Sequence, residues 1–202
     1  IQKNFPILMI IFVLPISGEY FPVQLGQLCL LEKKPDVCFG SSGGNICAYI
    51  GHACDWLYSR IIGAIEHMDS ESYLTGWGKS LPLWISFLFS KSMFAKGYGF
   101  KTFFKYFFTK EKARNGTEIW TGVVKEESSC KSVHQLFSNK SCFNESIIKP
   151  RVLDLNAKGP FLGDSNEIIY LDGDIDKIAD VTHSSAHIPF LVNKQGQCYT
   201  DG

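Results

Sequence analysis

The sequence lacks several features that mark specialised classes of protein. Its formal net charge is zero, with 20 basic and 20 acidic residues, whereas nucleic-acid-binding modules are usually strongly basic. It shows no internal repeat and no heptad pattern. Its apolar run at 5–16 has 12 residues, fewer than the roughly 20 that a membrane-spanning helix needs. We therefore expect no nucleic-acid partner and no membrane-spanning helix.

The seven cysteines include no C-x-x-C pair, and their number is odd. A zinc site and a disulfide framework are therefore both disfavoured. The first four lie in or beside apolar runs, so we predict that they are reduced core thiols of a cytoplasmic protein. They are Cys29, Cys38, Cys47 and Cys54.

Two further patterns would matter only in a secreted chain. N-glycosylation sequons occur at Asn115, Asn139 and Asn144, but such triplets arise often by chance. The apolar run at 5–16 lacks the basic flank and the small-residue cleavage site of a signal peptide. A buried β-strand is the better interpretation of that run.

Apolar spacing in the first third of the chain predicts alternating strands and helices. Residues 5–16 and 36–39 are typical of strands, and residues 22–32 are typical of a helix. A glycine-rich turn follows the second strand, and a single helix is predicted from Asn45 to about His67. This order predicts an α/β fold with a parallel sheet.

The rest of the chain predicts shorter elements. A strand is expected over 117–125 and a helix over 173–187. The polar segment 126–146 is typical of a solvated surface excursion. Further short strands are expected at 167–171 (or a helix start there), 188–192 and 197–200.

Residues 40–44 (GSSGG) match the G-x-S-x-G pattern with Ser42 at its centre. A nucleophilic serine projects from a sharp strand-to-helix turn, where side chains at positions 40 and 44 would collide with neighbouring backbone. The next helix start offers free N–H groups to an oxyanion. Ser42 is thus the candidate nucleophile, while Ser41 is disfavoured because Phe39 would occupy its upstream glycine position.

A serine hydroxyl needs a base, and two kinds are available. The order Ser42, Asp172, His187 (or His183) would suit the triad of an α/β-hydrolase, but that fold has several strands before its nucleophile and only two fit here. Alternatively, Asp201 follows the predicted strand 197–200 and would lie near Ser42 at the carboxyl edge of a parallel sheet. A carboxylate acting alone as a base must be partly desolvated.

Three segments together resemble the patatin-like phospholipase family. They are the early strand FPILMIIFVLPISG, the nucleophile turn CFGSSGGNICAYIG and the late segment SSAHIPFLVNKQGQCYTDG. The late segment is similar to the family's small-residue helix, its I-P dipeptide, a short hairpin and the catalytic Asp of a D-G motif. The resemblance extends from about residue 7 to residue 202.

The resemblance implies a patatin-like, three-layer α/β/α sandwich with a mostly parallel sheet, and a Ser-Asp dyad. Ser42 would be the nucleophile and Asp201 the base, with backbone N–H groups around Gly18 and Gly43 as the oxyanion hole. The implied activity is hydrolysis of acyl esters in phospholipids or other glycerolipids, without a metal or cofactor. Residues 1–202 would form one acyl hydrolase domain, which we expect to be part of a longer chain because it begins with Ile.

One departure from the family pattern keeps a second function open. The family's oxyanion loop carries three or more glycines, whereas residues 17–22 here contain only Gly18. Losing one oxyanion donor typically slows catalysis by about 10²–10³-fold. The alternative is therefore a catalytically impaired patatin-like protein that serves as a membrane-binding or scaffold protein.

An insertion at about 73–110 suggests contact with a membrane surface. Residues 73–108 hold 13 aromatic residues, and residues 72–110 contain six lysines and no Asp or Glu. Aromatic rings and lysines suit an anionic lipid interface, although a core helix pair with lysines on its exposed face is an equal alternative. The hypothesis is that Trp84 and the cluster 103–108 dock a cytoplasmic, peripheral protein on lipid.

Overall fold

The computed structural model describes residues 9–17, 20–31, 33–67, 104–126, 132–141, 168–186 and 199–201. The strands of this part are β1 (Ile11–Leu14), β2 (Val37–Gly40), β3 (Glu118–Glu126), β4 (Ser132–Ser138), β5 (Ile168–Tyr170) and β6 (Tyr199–Asp201). The helices with defined bounds are α1 (Phe21–Cys29), α2 (Gly43–Ala53), α3 (Tyr58–His67), α4 (Lys110–Arg114) and α5 (Ile175–Ser185).

The six strands form one mixed sheet in the order β1-β2-β3-β4-β5, with β6 also paired to β3. The pairs β1–β2, β2–β3 and β4–β5 are parallel. The pairs β3–β4 and β3–β6 are antiparallel. The predicted α/β class with a mostly parallel sheet is confirmed at this level.

The strands bury side chains on both faces of the sheet. One face packs its residues, including Cys38, Ile119 and Val123, into a core shared with α2. The other face carries a smaller cluster centred on Val37 and Trp120, which are 0% and 1% exposed. This alternation along each strand follows from the two-residue period of β-structure.

The single helix predicted from Asn45 to His67 is wrong, because the structure has two helices there. α2 ends at Ala53 and α3 begins at Tyr58. Asp55 and Trp56 between them have φ values of +55° and +59°, which an α-helix does not accommodate.

The prediction of a surface excursion at 126–146 is also wrong for its described part, residues 132–141. β4 lies within it and pairs with β3 from Trp120 to Glu126. Ser138 and the sequon residue Asn139, which follow the buried Phe137, are both fully buried. The Asn139 side chain accepts the Ile119 N–H at 2.7 Å and donates to the Ala113 and Thr117 carbonyls, so it is a core residue rather than a glycosylation acceptor.

The first four cysteines are free, as predicted. Cys38, Cys47 and Cys54 are buried, and Cys29 is half-buried. The other three lie outside the described residues. Within the described ranges, no helix combines the length and the apolar character required to cross a membrane.

Most of the aromatic insertion, including Trp84, lies outside the described residues. Its described end, residues 104–108, begins with a helical turn. Phe104 and Phe108 are buried against Tyr49 of α2, with ring centroids 5.3 and 6.3 Å from the tyrosine ring. These two rings belong to the core, whereas Tyr106 is 75% exposed; the hypothesis that the whole cluster contacts lipid is therefore wrong for Phe104 and Phe108.

Candidate active site at the turn between β2 and α2

The turn between β2 and α2 consists of two residues, Ser41 and Ser42. Ser42 has φ +52° and ψ −128°, a conformation that costs a non-glycine residue about 1–3 kcal/mol. Hydrogen bonds close the turn: Gly44 N–H donates to the Ser41 carbonyl at 2.9 Å and Asn45 N–H to the Ser42 carbonyl at 3.1 Å. Strain of this kind is typical of functional turns, and within this turn it falls on Ser42 and not on Ser41.

Glycine is required on both sides of the turn because backbone approaches too closely for a side chain. A Cβ atom at Gly40 would lie 2.6 Å from the Asn45 Cα atom. A Cβ atom at Gly44 would lie 2.6 Å from the Pro15 carbonyl oxygen and closer still to that of Leu14. The collisions expected from the G-x-S-x-G spacing are therefore present at both positions.

Other nucleophilic side chains at this turn are less suited than Ser42. Ser41 and Ser42 are both 2% exposed, so exposure does not separate them, but Ser41 lacks the positive φ of Ser42. The Ser41 hydroxyl has no hydrogen-bond partner in the described part of the chain. Burial raises the pKa of Cys38 well above its usual value and that of Cys47 to about 12. Both thiols stay protonated, so neither supplies a thiolate nucleophile.

The amides at the start of α2 provide one clear candidate for an oxyanion donor. Gly43 is the first residue of the helix, so its N–H has no partner within the helix. It also follows the candidate nucleophile directly, which is where the oxyanion donor lies in nucleophile turns. Gly18, the other predicted contributor, lies outside the described residues.

The Ser42 amide is bound by a residue that the sequence analysis did not identify. Ser42 N–H donates to the Ser185 hydroxyl at 3.0 Å, and that hydroxyl donates to the Gly122 carbonyl of β3 at 2.8 Å. Ser185 is the last residue of α5 and is fully buried. Ser185 is the second serine of the segment SSAH. A small polar residue on a helix does not by itself indicate which distant group it binds.

A second buried polar chain joins the same elements. The Thr121 hydroxyl donates to Asn45 Oδ1 at 2.7 Å, and Asn45 Nδ2 donates to the Thr182 hydroxyl at 3.2 Å. All three side chains are fully buried. Because Thr182 and Ser185 are three residues apart on α5, they share one helix face, and that face fixes the start of α2 against β3.

The strand registers bring the backbone of Asp201 towards the nucleophile turn. β4 occupies one edge of β3, so β2 and β6 share the other edge. Gly40, at the end of β2, pairs with Thr121, and Asp201, at the end of β6, pairs with Val123. β2 is parallel and β6 antiparallel to β3, so their carboxyl ends face each other about 7 Å apart along the strand.

The alternative triad would combine Ser42 with Asp172 and with His187 or His183, and these residues lie at different places in the chain's structure or outside its described part. Asp172 forms ion pairs with Arg114 at 3.0 Å and Lys110 at 3.4 Å. It precedes α5, whose eleven residues separate it from the Ser42 end of that helix by about 16 Å. His183 is two residues from Ser185 and so points to a different face of α5. His187 lies outside the described residues.

No protein-family model, curated protein or solved structure matches this chain. In the described part of the chain, no group of three His, Cys, Asp or Glu side chains is placed to hold a metal ion. The features that can support chemistry at this site are the serine turn, its amides and the strand ends around them.

Proposed function

We propose that this protein is a serine lipid acyl hydrolase of the phospholipase A type with a patatin-like, three-layer α/β/α domain. The observation that carries the proposal is the meeting of two carboxyl strand ends beside Gly122, one leading into the strained Ser42 and the other ending at Asp201. Burial of Trp120 and Val37 on the sheet face opposite α2 supports a third layer.

In this mechanism the Ser42 hydroxyl attacks the carbonyl carbon of an acyl ester, and the Asp201 carboxylate accepts its proton. The Gly43 N–H, with an N–H near Gly18, stabilises the charge that develops on the carbonyl oxygen. The proton then passes to the leaving alcohol, which leaves an acyl-enzyme. Water, deprotonated by Asp201, releases the fatty acid and restores Ser42.

The substrate class follows from the family resemblance, which implies acyl esters of glycerolipids. A substrate in membranes requires at least transient contact with a lipid surface, so we place the protein in the cytoplasm with peripheral membrane association. The exposed Tyr106, at the end of the aromatic insertion, is suited to such contact. No metal or cofactor takes part in the proposed reaction.

Release of fatty acid from phosphatidylcholine dispersed in mixed micelles tests the proposal. Wild-type protein should release fatty acid, Ser42→Ala should lose the activity, and the matched neighbour variant Ser41→Ala should keep it. Equal loss in both variants would show that a disturbed turn, rather than the Ser42 hydroxyl, accounts for the effect.

The second candidate function is a non-catalytic membrane-binding or scaffold protein, and the observation that favours it is the single glycine in residues 17–22. It predicts a folded wild-type protein that binds vesicles without releasing fatty acid. That result would replace the hydrolase proposal, because the Ser42 turn would then be present without its chemistry.

A further inference from the structure

We propose that Ser185 is a positioning residue of this site, whose hydroxyl holds the Ser42 backbone in the conformation from which the serine reacts. This inference rests on the proposed function for its catalytic consequence. Its structural part rests on the two hydrogen bonds of one buried hydroxyl, to Ser42 N–H and to the Gly122 carbonyl.

The position of Gly122 explains why a side chain is needed here. Gly122 lies between Thr121, the partner of the last β2 residue, and Val123, the partner of Asp201. In the described registers, neither β2 nor β6 has a residue paired with Gly122, and buried backbone groups must be paired. The Ser185 hydroxyl pairs the Gly122 carbonyl and, on its other side, the Ser42 amide.

One hydroxyl is sufficient because it donates one proton and accepts through its lone pairs. The bond to Ser42 N–H acts directly on the residue with φ +52°, and surrounding contacts have to maintain such a conformation. Since Ser185 belongs to α5, the orientation of the nucleophile turn is coupled to a helix distant in sequence.

The hydrogen bond from Ser42 N–H to Ser185 also determines which amide of the turn can donate to an oxyanion. Ser42 N–H is bound by Ser185 and is not a free donor for an oxyanion, whereas the Gly43 N–H has no partner within its helix. Ser185 therefore leaves the Gly43 amide as the oxyanion donor of the turn. Removing the hydroxyl releases the Ser42 amide and relaxes the geometry of both amides together.

The test compares Ser185→Ala with Ser184→Ala in the full chain. Ser184 is a matched control: it is 2% exposed, is adjacent on α5, and its hydroxyl donates to the Asp180 carbonyl of its own helix. Two quantities are measured, the exchange rate of the Ser42 amide proton and the rate of covalent labelling by a fluorophosphonate. Unfolding by denaturant shows that each variant is folded.

We expect Ser185→Ala to make the Ser42 amide exchange about tenfold faster and to slow labelling by about 10–100-fold. The saturation constant for the reagent should change little, because Ser185 is fully buried and is not exposed to the reagent. Ser184→Ala should resemble wild type in both quantities. Equal exchange and equal labelling in the two variants would overturn the proposal.

Two further outcomes are also decisive. If Ser185→Ala does not fold, Ser185→Cys replaces it, since a thiol fills nearly the same space but is a much weaker donor; a folded Ser185→Cys with wild-type exchange and labelling overturns the proposal. If wild-type protein is not labelled, the proposed hydrolase function fails. Amide exchange still decides whether Ser185 holds the turn.

Discussion

At the scale of single residues, the glycines around Ser42 lead to a stability prediction. An alanine at position 44 would place its Cβ atom against the Leu14 and Pro15 carbonyl groups, so the end of β1 and the start of α2 must move apart. We expect Gly44→Ala to lower the free energy of unfolding by about 3 kcal/mol. Denaturant unfolding measures the change.

Gly63 provides the control for this prediction. It lies inside α3, and a Cβ atom there meets nothing within 4 Å. Alanine should therefore stabilise the protein by about 0.5–1 kcal/mol through its better helix propensity. If both variants changed stability in the same direction, close backbone approach would not be the reason for glycine at position 44.

The residues of the candidate site differ in how far the sequence reveals them. The G-x-S-x-G spacing indicates Ser42 and its two glycines because the pattern is local and the collisions act within a few residues. Ser185 and Asn45 are not revealed, since their partners lie 143 and 137 residues away. A buried Ser or Asn has the same sequence signature whether it bonds its own helix or a distant turn.

At the scale of elements, the described end of the aromatic insertion leads to a second prediction. Phe104→Ala removes a ring that is 1% exposed and should destabilise the fold by about 3–5 kcal/mol. Tyr106→Ser changes an exposed ring, so stability should stay within about 0.5 kcal/mol, while co-sedimentation with anionic vesicles should weaken. Unchanged vesicle binding by Tyr106→Ser would remove this residue from the membrane contact.

The helix break at 54–57 shows why apolar spacing mispredicts the ends of helices. Apolar spacing continues through the break, so periodicity predicts one helix. Tertiary contacts end α2 instead: the Trp56 ring packs on Gly51, where a Cβ atom would collide with it, and its indole N–H donates to the Thr117 hydroxyl at 3.2 Å. These partners lie on different elements and leave no local signal.

The sequence does not reveal β4 for a related reason. Its sequence, SVHQLFS, has few strongly apolar residues, and the surrounding segment is polar. The strand is nevertheless buried at Gln135, Ser138 and the following Asn139, because pairing with β3 and side-chain hydrogen bonds satisfy its polar groups. Composition alone therefore places it at the surface.

At the scale of the whole molecule, the burial of His52 leads us to predict that the free energy of unfolding depends on pH. Burial lowers the pKa of His52 to about 4, and Lys34, Lys112 and Lys140 also disfavour its charged form. Its Nε2–H donates to the Lys112 carbonyl at 3.0 Å, which the neutral ring satisfies. In the unfolded chain the pKa of His52 is near 6.5. The unfolded chain therefore binds a proton at His52 at a higher pH than the folded protein does.

The neutral His52 therefore contributes stability that is present above about pH 6.5 and is lost as the pH falls towards 4. Between pH 7 and 5 we expect this group to account for a loss of about 2 kcal/mol in the free energy of unfolding. His52→Gln keeps an amide donor for the Lys112 carbonyl but does not titrate, so its stability should depend less on pH. If the free energy of unfolding had the same dependence on pH in wild type and in His52→Gln, the loss of stability in acid would belong to other groups.

The class of the fold follows from the sequence more readily than its sheet topology. Alternation of apolar strands and helices predicts an α/β protein because the apolar spacing within each segment indicates whether it forms a strand or a helix. The antiparallel approach of β6 to β3 depends on pairings between residues far apart in sequence, such as Val123 and Asp201. That approach brings the carboxyl end of β6 to the serine turn and supports a carboxylate base.

The central claim is that one carboxylate, without an imidazole, activates Ser42. The rate constant for fluorophosphonate labelling at Ser42 tests it most directly, with the labelled residue identified by peptide mass spectrometry. Asp201→Asn should slow labelling by about 10²-fold or more, whereas His187→Ala should leave it within about twofold of wild type. The opposite result, with His187→Ala slow and Asp201→Asn unaffected, would contradict the account and favour a histidine base.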